Sequence, residues 1–371
     1  MDIHYTYNHE TIQIILWPTF VLVSVLPYLE GNDRGLIITL TPSYSYDNIY
    51  IETVSITTDG APDFDSRRTL NFSTKVLFLS VEGDYALRQS YMYEYYSGII
   101  YRDSNFSIDF SGPNYWSIVH EGVSMGSVKL AVDWINHNIY WTDSQFKWIV
   151  VQSLASIDKS MYRILIHENL EGPHALTLDP MEGLLFWSDI GSFTKIEVSS
   201  LSGKNRKSLI SSNLIMPISL AADYGARRIY WIDSGRYTLE SITYEGKERK
   251  IFFKTSYNSF FDLAVYKDYL YVTNLEYQEV DFFNKMNGEK LEKSLIREGE
   301  IYLGVTVFHP EAQPTSVTAY CVNYGCEHIC VTEKGGASCV CRDGYILNQD
   351  MKTCSDAVQC DLLSHRAADI Y

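Results

Sequence analysis

Residues 130–143 read LAVDWINHNIYWTD, and this stretch decides the fold. An apolar run ends at Asp133, a polar turn follows, and an aromatic run ends at Asp143. Apolar, turn-forming and aromatic segments in this order predict a β-hairpin. The hairpin is therefore the unit from which the rest of the chain can be interpreted.

The same frame recurs along the chain. Copies of the aromatic phrase start at residues 186 (FWSD), 230 (YWID) and 271 (YVTN), with spacings of 46, 44 and 41 residues. A period of about 40–45 residues is that of a four-stranded propeller blade. One blade cannot bury both of its faces, so the copies are expected to stack in a ring. The motif residues are Tyr140, Trp141, Asp143, Phe186, Trp187, Asp189, Tyr230, Trp231 and Asp233, with Asp133, Asp179 and Asp223 standing seven residues before the three phrases.

This pattern resembles the YWTD, or class B, repeat of the low-density lipoprotein receptor and its related proteins. The resemblance implies an all-β fold, a six-bladed β-propeller followed directly by a small disulfide-rich module like that of epidermal growth factor. Residues 77–80 and 100–103 are candidates for the two missing copies. They start only 23 residues apart, which leaves about half a blade missing. Either β-rich residues 35–40 and 49–56 close the ring, or the chain diverges there.

The cysteines support the same resemblance. All seven lie after residue 320, and the first six follow the spacing C-x4-C-x3-C-x8-C-x-C-x12-C. Spacing alone leaves the pairing open. The resemblance to an epidermal-growth-factor-like module implies Cys321–Cys330, Cys326–Cys339 and Cys341–Cys354, with Cys360 left over. No acidic calcium cage precedes Cys321, and no zinc-ligand spacing occurs, so we expect no metal.

The predicted domains are an N-terminal segment (1–70), the propeller with a short first blade (71–313), the module (321–354) and a tail (355–371). Residues 11–28 lack charge and are mostly apolar, which fits a signal peptide or anchor, or alternatively a buried strand pair. Three disulfides need an oxidising compartment, and the sequons at Asn71 and Asn105 agree with glycosylation. We therefore expect a secreted protein, or one on the extracellular face of the plasma membrane.

Composition and motifs limit the function. The net charge of −16 argues against nucleic acid as a partner. No nucleophile elbow, zinc-protease helix or phosphate-binding glycine loop occurs, and the histidines share no ligand spacing, so we expect no enzyme and no cofactor. The alternative, a lactonase-type propeller hydrolase with channel calcium, would need a tightly bound metal.

In the resembling family the motif aromatics pack in the core, and the aspartates tie one blade to the next. Its propellers bind secreted or cell-surface proteins, so the resemblance implies a ligand-binding segment of an endocytic or Wnt co-receptor-like receptor. A matrix or adhesion protein of nidogen-like type is the alternative. Histidine changes charge near pH 6–7, and His309, at the predicted propeller–module junction, is the candidate pH sensor.

Overall fold

The structure is a computed structural model that describes residues 5–8, 11–14, 23–25, 35–42, 49–57, 59–64, 68–72, 77–103, 116–257, 259–296, 300–314 and 318–357. Its regular elements are β-strands. The first three form an antiparallel sheet in the order β1-β2-β3: β1 (Tyr5–Asn8), β2 (Thr11–Ile14) and β3 (Val23–Val25). Three longer strands follow: β4 (Gly35–Pro42), β5 (Ile49–Ser55) and β6 (Arg68–Phe72).

Five four-stranded antiparallel sheets come next, each made of consecutive strands, and we call them blades 1 to 5. Blade 1 is β7 (Phe78–Asp84), β8 (Gln89–Glu94), β9 (Ile99–Asp103) and β10 (Trp116–Glu121). Blade 2 is β11 (Leu130–Asp133), β12 (Asn138–Asp143), β13 (Trp148–Ser153) and β14 (Tyr162–Ile166). Blade 3 is β15 (Pro173–Asp179), β16 (Leu184–Asp189), β17 (Lys195–Ser200) and β18 (Lys207–Ile210). Blade 4 is β19 (Pro217–Asp223), β20 (Arg228–Asp233), β21 (Thr238–Thr243) and β22 (Lys250–Lys254). Blade 5 is β23 (Phe260–Tyr266), β24 (Tyr269–Asn274), β25 (Glu279–Asn284) and β26 (Leu295–Ile296).

A further four-stranded sheet joins the two ends of the propeller, and we call it the closing sheet. Its inner strand is β27 (Glu300–Phe308), which pairs antiparallel with β4, followed outward by β5 and β6. Gly35 lies opposite Phe308, and Leu40 lies opposite Tyr302. Strand β27 also packs beside β23 of blade 5 and β7 of blade 1, so the ring is closed by strands more than two hundred residues apart in sequence.

The all-β propeller is confirmed, but the predicted opening blades are wrong. Residues 77–80 and 100–103 do not start separate blades, because β7 and β9 are strands of the same blade 1. Within the described residues no half-blade is missing between Ser80 and Ile100, and five blades, not six, consist of consecutive strands. The predicted propeller start at residue 71 is also too late, since β4 and β5 belong to the closing sheet. The upstream donor strands considered in the sequence analysis are the ones that the structure uses.

The core lies between neighbouring sheets and is rich in aromatic side chains. The three motif tryptophans, Trp141, Trp187 and Trp231, are almost completely buried. Trp231 of blade 4 packs in one cluster with Phe186 of blade 3, so the phrase of one blade meets that of the next. Each large aromatic buries roughly 150–250 Å². This burial fits the large aromatic side chain that opens the phrase in each copy.

In blades 3 and 4 an arginine guanidinium packs over the ring of the motif tryptophan. The guanidinium groups of Arg206 and Arg249 lie 5.4 Å from the ring centroids of Trp187 and Trp231, respectively. Arg249 Nε also lies 2.7 Å from Glu240 Oε2, and its two terminal nitrogens donate to backbone carbonyls of the connection entering blade 4. Arg206 repeats this arrangement in blade 3. Each arginine therefore fastens a connection to a blade through charge, hydrogen bonds and ring contact.

The C-terminal module contains β28 (Ile329–Glu333), β29 (Gly336–Val340), β30 (Tyr345–Leu347) and β31 (Cys354–Asp356), in two hairpins. Its disulfides are Cys321–Cys330, Cys326–Cys339 and Cys341–Cys354, the pairs that the resemblance implies. A module of this size cannot bury an adequate apolar core, and each bridge typically adds about 2–4 kcal/mol.

Several predicted features lie partly or wholly outside the described residues. Asn71 falls in β6, whose side chains are not described, while Asn105 and Cys360 lie outside. Of the apolar residues 11–28, only the backbone of β2 and β3 is described. Within the described part of the chain, no helix has the length and apolarity needed to cross a membrane.

The closing sheet yields a test of the ring. Strand β4 is paired on both sides, so proline at Ile38 removes a hydrogen bond inside the sheet and strains the backbone. We expect Ile38→Pro to lower the free energy of unfolding by about 3 kcal/mol. Proline at Lys207, the first residue of the outermost strand β18, is the matched control and should have a smaller effect. Urea denaturation of both secreted variants checks this, and equal midpoints would contradict a role for β4 in closure.

Candidate protein-binding face

The ring has two ends with different loops. At one end lie the turns between the second and third strands and the connections that lead from blade to blade; we call this end the open face. At the other end lie the turns between first and second strands and between third and fourth strands, where the module docks; we call this the module face. Each motif aspartate stands at the open-face end of its second strand.

Each of these aspartates fixes a connection at the open face. Asp189 Oδ1 accepts hydrogen bonds from the backbone N–H groups of Glu171 (2.9 Å) and Gly172 (2.8 Å). Asp233 does the same for Ile215 and Met216. Asp143 accepts from the Ser124 N–H at 2.8 Å and from two N–H groups of its own turn. All three aspartates are buried.

Blade 1 contains a copy of the motif that the sequence analysis missed. It reads Tyr91-Met92-Tyr93-Glu94, and buried Glu94 accepts from the N–H groups of Leu77 (3.1 Å) and Ser97 (2.6 Å). Asp84 stands seven residues before Tyr91, as in the other copies. That spacing was the available signal, but methionine and glutamate in place of tryptophan and aspartate obscured it.

The second set of aspartates lies at the module face, and each has a different partner. Asp84 Oδ2 lies 3.1 Å from His137 Nδ1 of blade 2. Tyr244 of blade 4 donates its hydroxyl to Asp179 Oδ2 at 3.0 Å, and Lys285 Nζ of blade 5 lies 2.6 Å from Asp223 Oδ2. Three of the four ties thus join one blade to the next.

Asp133 is the exception, because its partners lead to the module. It accepts from the side-chain amides of Asn136 (2.8 Å) and Asn138 (3.5 Å). These asparagines also donate to Thr332 Oγ1 and to the Cys330 carbonyl, each at 2.8 Å. Burial raises the pKa of Asp133, an effect that these hydrogen bonds oppose. The other three aspartates contact the neighbouring blade. Asp133 instead orients the two asparagines that bind the module.

Apolar and charged contacts complete this docking on blades 2 and 3. Ile329 and Val331 are fully buried in a cluster with Tyr140 and Trp187. Ile164 N donates to Asp343 Oδ1 at 3.1 Å. At Gly183, where φ is +67°, a Cβ would lie 2.7 Å from the Thr332 carbonyl oxygen. The close fit leaves blades 2 and 3 covered at the module face.

His309 lies at the end of the closing sheet, where the chain leaves the ring. It is buried, and its Nδ1 lies 3.0 Å from the Tyr266 hydroxyl of blade 5 and 3.1 Å from the Glu311 N–H. Beyond it, Gln313 accepts from Tyr85 N at 2.7 Å and donates to the Gly83 carbonyl. These described contacts tie the junction to blades 1 and 5, whereas the module docks on blades 2 and 3.

The central channel is narrow. It contains a cavity of about 100 Å³ lined mainly by small residues of the inner strands. Lys129 Nζ of blade 2 lies 2.7 Å from Asp262 Oδ1 of blade 5, an ion pair across the ring. Burial, with Asp262 nearby, raises the pKa of Glu82 to about 8. A cavity of this size holds a few water molecules but not a substrate of ordinary size, for which sites run to roughly 300 Å³ and above.

The only grouping of potential metal ligands among the described residues is His328, Cys341 and Cys354. The two cysteines are bonded to each other, so neither offers a thiolate. Within the described part of the chain, the donor set therefore does not fit a metal centre.

The open face carries the exposed aromatic side chains. All six aromatic residues with large exposure among the described residues lie there: Tyr96, Phe146, Phe193, Tyr237, Tyr257 and Tyr277. Five of them occupy the turn between the second and third strands, one in each of blades 1 to 5. Phe193 is 81% exposed. Aromatic side chains in this setting are typical anchors of protein interfaces, and the buried carboxylates beneath them hold the turns in place.

Comparison with known proteins finds two family matches, two related receptors and a similar solved structure. Residues 183–224 match the family described as low-density lipoprotein receptor repeat class B, and residues 322–354 match the coagulation factor Xa inhibitory site family. The chain is 32% identical over 228 residues to the vitellogenin receptor Yl of Drosophila melanogaster, covering 61% of this chain and 11% of that protein. It is 29% identical over 226 residues to the vitellogenin receptor of Solenopsis invicta, covering 61% and 12%. The chain thus spans about a tenth of the length of these relatives.

Among solved structures, the chain is similar to one from a nidogen/laminin complex, with a TM-score of 0.63 at 20% identity. The match covers 74% of this chain and 98% of that one. At this level of identity the likeness concerns the fold.

The motif aspartates give a stability prediction. Asp189→Ala leaves the N–H groups of Glu171 and Gly172 without their acceptor, which should lower the free energy of unfolding by about 3 kcal/mol or more. Secreted yield should fall with it. Asp350→Ala, on an exposed turn of the module, is the control. Urea denaturation measures both variants, and an Asp189→Ala protein that unfolds like the parent would refute the structural role.

The Asp84–His137 pair gives a pH prediction. The hydrogen bond that His137 donates to Asp84 raises the pKa of His137, so the pair stabilises the fold fully below the pKa of the unfolded histidine, about 6.5. This stabilisation is lost as the pH rises through the higher folded pKa. His137→Gln should therefore lower the urea midpoint more at about pH 5.5 than at about pH 8.5. A larger loss at the higher pH would contradict the pairing.

Proposed function

Since this chain is related to the low-density lipoprotein receptor family through its class B propeller repeats, we propose that it is an extracellular segment that binds protein ligands through its open face. The observation that carries this proposal is the location of the exposed aromatics. They crowd one end of the ring, while the module covers part of the other. The finer proposal is an endocytic receptor segment, because the relatives are named vitellogenin receptors.

Three features support an extracellular location and a binding role. The three disulfides form in oxidising compartments. The motif carboxylates are occupied by backbone N–H groups, as a scaffold requires. The described channel is too small for a substrate site. A nidogen-like matrix protein is the second candidate, favoured by the fold likeness to the chain from the nidogen/laminin complex.

The rigid turns make the proposal testable by surface substitution. Phe146→Ser with Phe193→Ser removes two exposed aromatics from blades 2 and 3 without disturbing buried contacts of the motif. Protein captured from extracellular fluid by the secreted chain should decrease at least about tenfold with this variant. The control is Leu87→Ser with Met286→Ser, two exposed side chains of turns at the module face. Equal capture by both variants would exclude the open face as the binding surface.

His309 remains our candidate for a pH sensor, and the same experiment includes it. Ligand retained at about pH 7.4 and about pH 5.5 is compared for the parent and for His309→Gln. Because His309 contacts blade 5 and the junction, a role in acid release would act through the ring closure rather than through direct ligand contact. An unchanged difference between the two pH values would remove His309 from the mechanism.

A further inference from the structure

Three tyrosines from two neighbouring blades come together at the open face, and we call them the tyrosine triad. Tyr237 lies in the turn of blade 4, Tyr257 in the connection from blade 4 to blade 5, and Tyr277 in the turn of blade 5. The ring centroids of Tyr237 and Tyr257 are 6.3 Å apart. Their exposed fractions are 36%, 56% and 61%, in chain order. Large aromatic area is thus offered to solvent over one small region.

One carboxylate stands among these rings. The Tyr257 hydroxyl donates to Glu276 Oε2 at 3.3 Å, and the nearby charge of Glu276 is the main cause that raises the pKa of Tyr257. Tyr277 is the next residue along the chain, and its own ring contributes to the same effect on Tyr257. The Glu276 carboxylate and the tyrosine side chains therefore lie close enough for one ligand group to contact several of them.

Glu276 forms no ion pair with any residue that the structure describes. The nearby cation Arg236 is already engaged, with its Nε 3.3 Å from Glu240 Oε1. This distinguishes the triad from the buried carboxylates of the blades, such as Asp223 and Glu240, which hold a lysine or an arginine. Within the described part of the chain, Glu276 is thus an exposed carboxylate without an ionic partner, hydrogen-bonded to one tyrosine of the triad and adjacent in sequence to another.

We propose that the tyrosine triad and Glu276 bind a lysine or arginine side chain presented by a basic segment of a protein partner. A cation over the face of an aromatic ring is attracted by the ring quadrupole, and a carboxylate at the edge supplies the counter-charge. Tyrosine is also favoured because it offers contact area with few rotatable bonds. The net charge of −16 attracts a basic partner at long range and leaves specificity to such local sites.

The inference deepens the proposed function, since it assigns one part of the open face a partner chemistry. It differs from the general role of the exposed aromatics on blades 1 to 3. Tyr96, Phe146 and Phe193 each lie on a separate blade, whereas the triad draws its three rings from two blades and their connection. We therefore assign cation binding to the triad and apolar contact to the other three exposed aromatic residues.

The experiment uses a fluorescein-labelled peptide of alternating glycine and lysine, and the same peptide with acetylated lysines. Fluorescence anisotropy gives the affinity of each for the whole secreted chain at low and physiological salt. We expect the lysine peptide to bind and the acetylated peptide to bind at least about tenfold more weakly. Tyr257→Ala with Tyr277→Ala should weaken the lysine peptide about fivefold, with an unchanged unfolding midpoint.

Two matched controls separate the triad from general attraction to an acidic protein. Tyr96→Ala removes an exposed tyrosine of blade 1, and Glu289→Gln removes one negative charge from a turn at the module face. Glu276→Gln should weaken binding more than Glu289→Gln, and Tyr96→Ala should leave the affinity unchanged. The proposal would be overturned if Glu276→Gln and Glu289→Gln weakened binding equally, or if the Tyr257→Ala, Tyr277→Ala double variant weakened it no more than Tyr96→Ala. It would also be overturned if the lysine peptide did not bind. Because the probe is synthetic, this outcome is independent of whether capture of a natural ligand succeeds.

Discussion

The fold depends on one repeated interaction, the hydrogen bonds from incoming backbone N–H groups to a buried carboxylate at the end of the motif strand in blades 1 to 4. Asp143, Asp189, Asp233 and Glu94 all make it. The N–H groups of the connection between blades are partly or fully buried at that point, so without the carboxylate they would lose water and gain no acceptor. Such groups cost about 1–3 kcal/mol each. The same carboxylates therefore join neighbouring blades and fix the shape of the open face.

The module face shows how a repeat can diverge where its framework is kept. Asp84, Asp179 and Asp223 hold the same strand position yet meet a histidine, a tyrosine and a lysine. Asp133 meets two asparagines that reach the module. A carboxylate accepts several hydrogen bonds, so it tolerates a change of donor better than a packed apolar contact tolerates a change of shape. This tolerance lets one blade exchange its inter-blade tie for a docking contact.

Sequence reasoning identified the propeller and the motif positions because both rest on local spacing, whereas the cysteine pairs came from the resemblance to an epidermal-growth-factor-like module, since spacing alone left the pairing open. It named residues 35–40 and 49–56 as candidate strands for closing the ring but left that choice open, and it did not include β6, since pairing between residues near 35 and 308 leaves no periodic signal. In β4, Leu40 occupies the register position that the motif aspartate has in the other blades, so β4 lacks the residue by which a motif strand is recognised. Arg206 and Arg249 were missed although each stands three residues after a turn glycine, because their tryptophan partners come from earlier strands. The tyrosine triad depends on which turns are adjacent, and only the assembled ring establishes that.

The closing sheet also determines how the ring responds to mechanical force. Gly35 and Phe308 are paired at one end of the antiparallel strands β4 and β27, so opposite pulls on these residues would load the hydrogen bonds one after another, as in unzipping. Pairs loaded in this way resist less than pairs sheared together. Tension arriving from the module side, however, first meets Gln313 on blade 1 and the docked module on blades 2 and 3. Force applied through the module is therefore carried first by these contacts, and the β4–β27 pair of the closing sheet is not the first to be loaded.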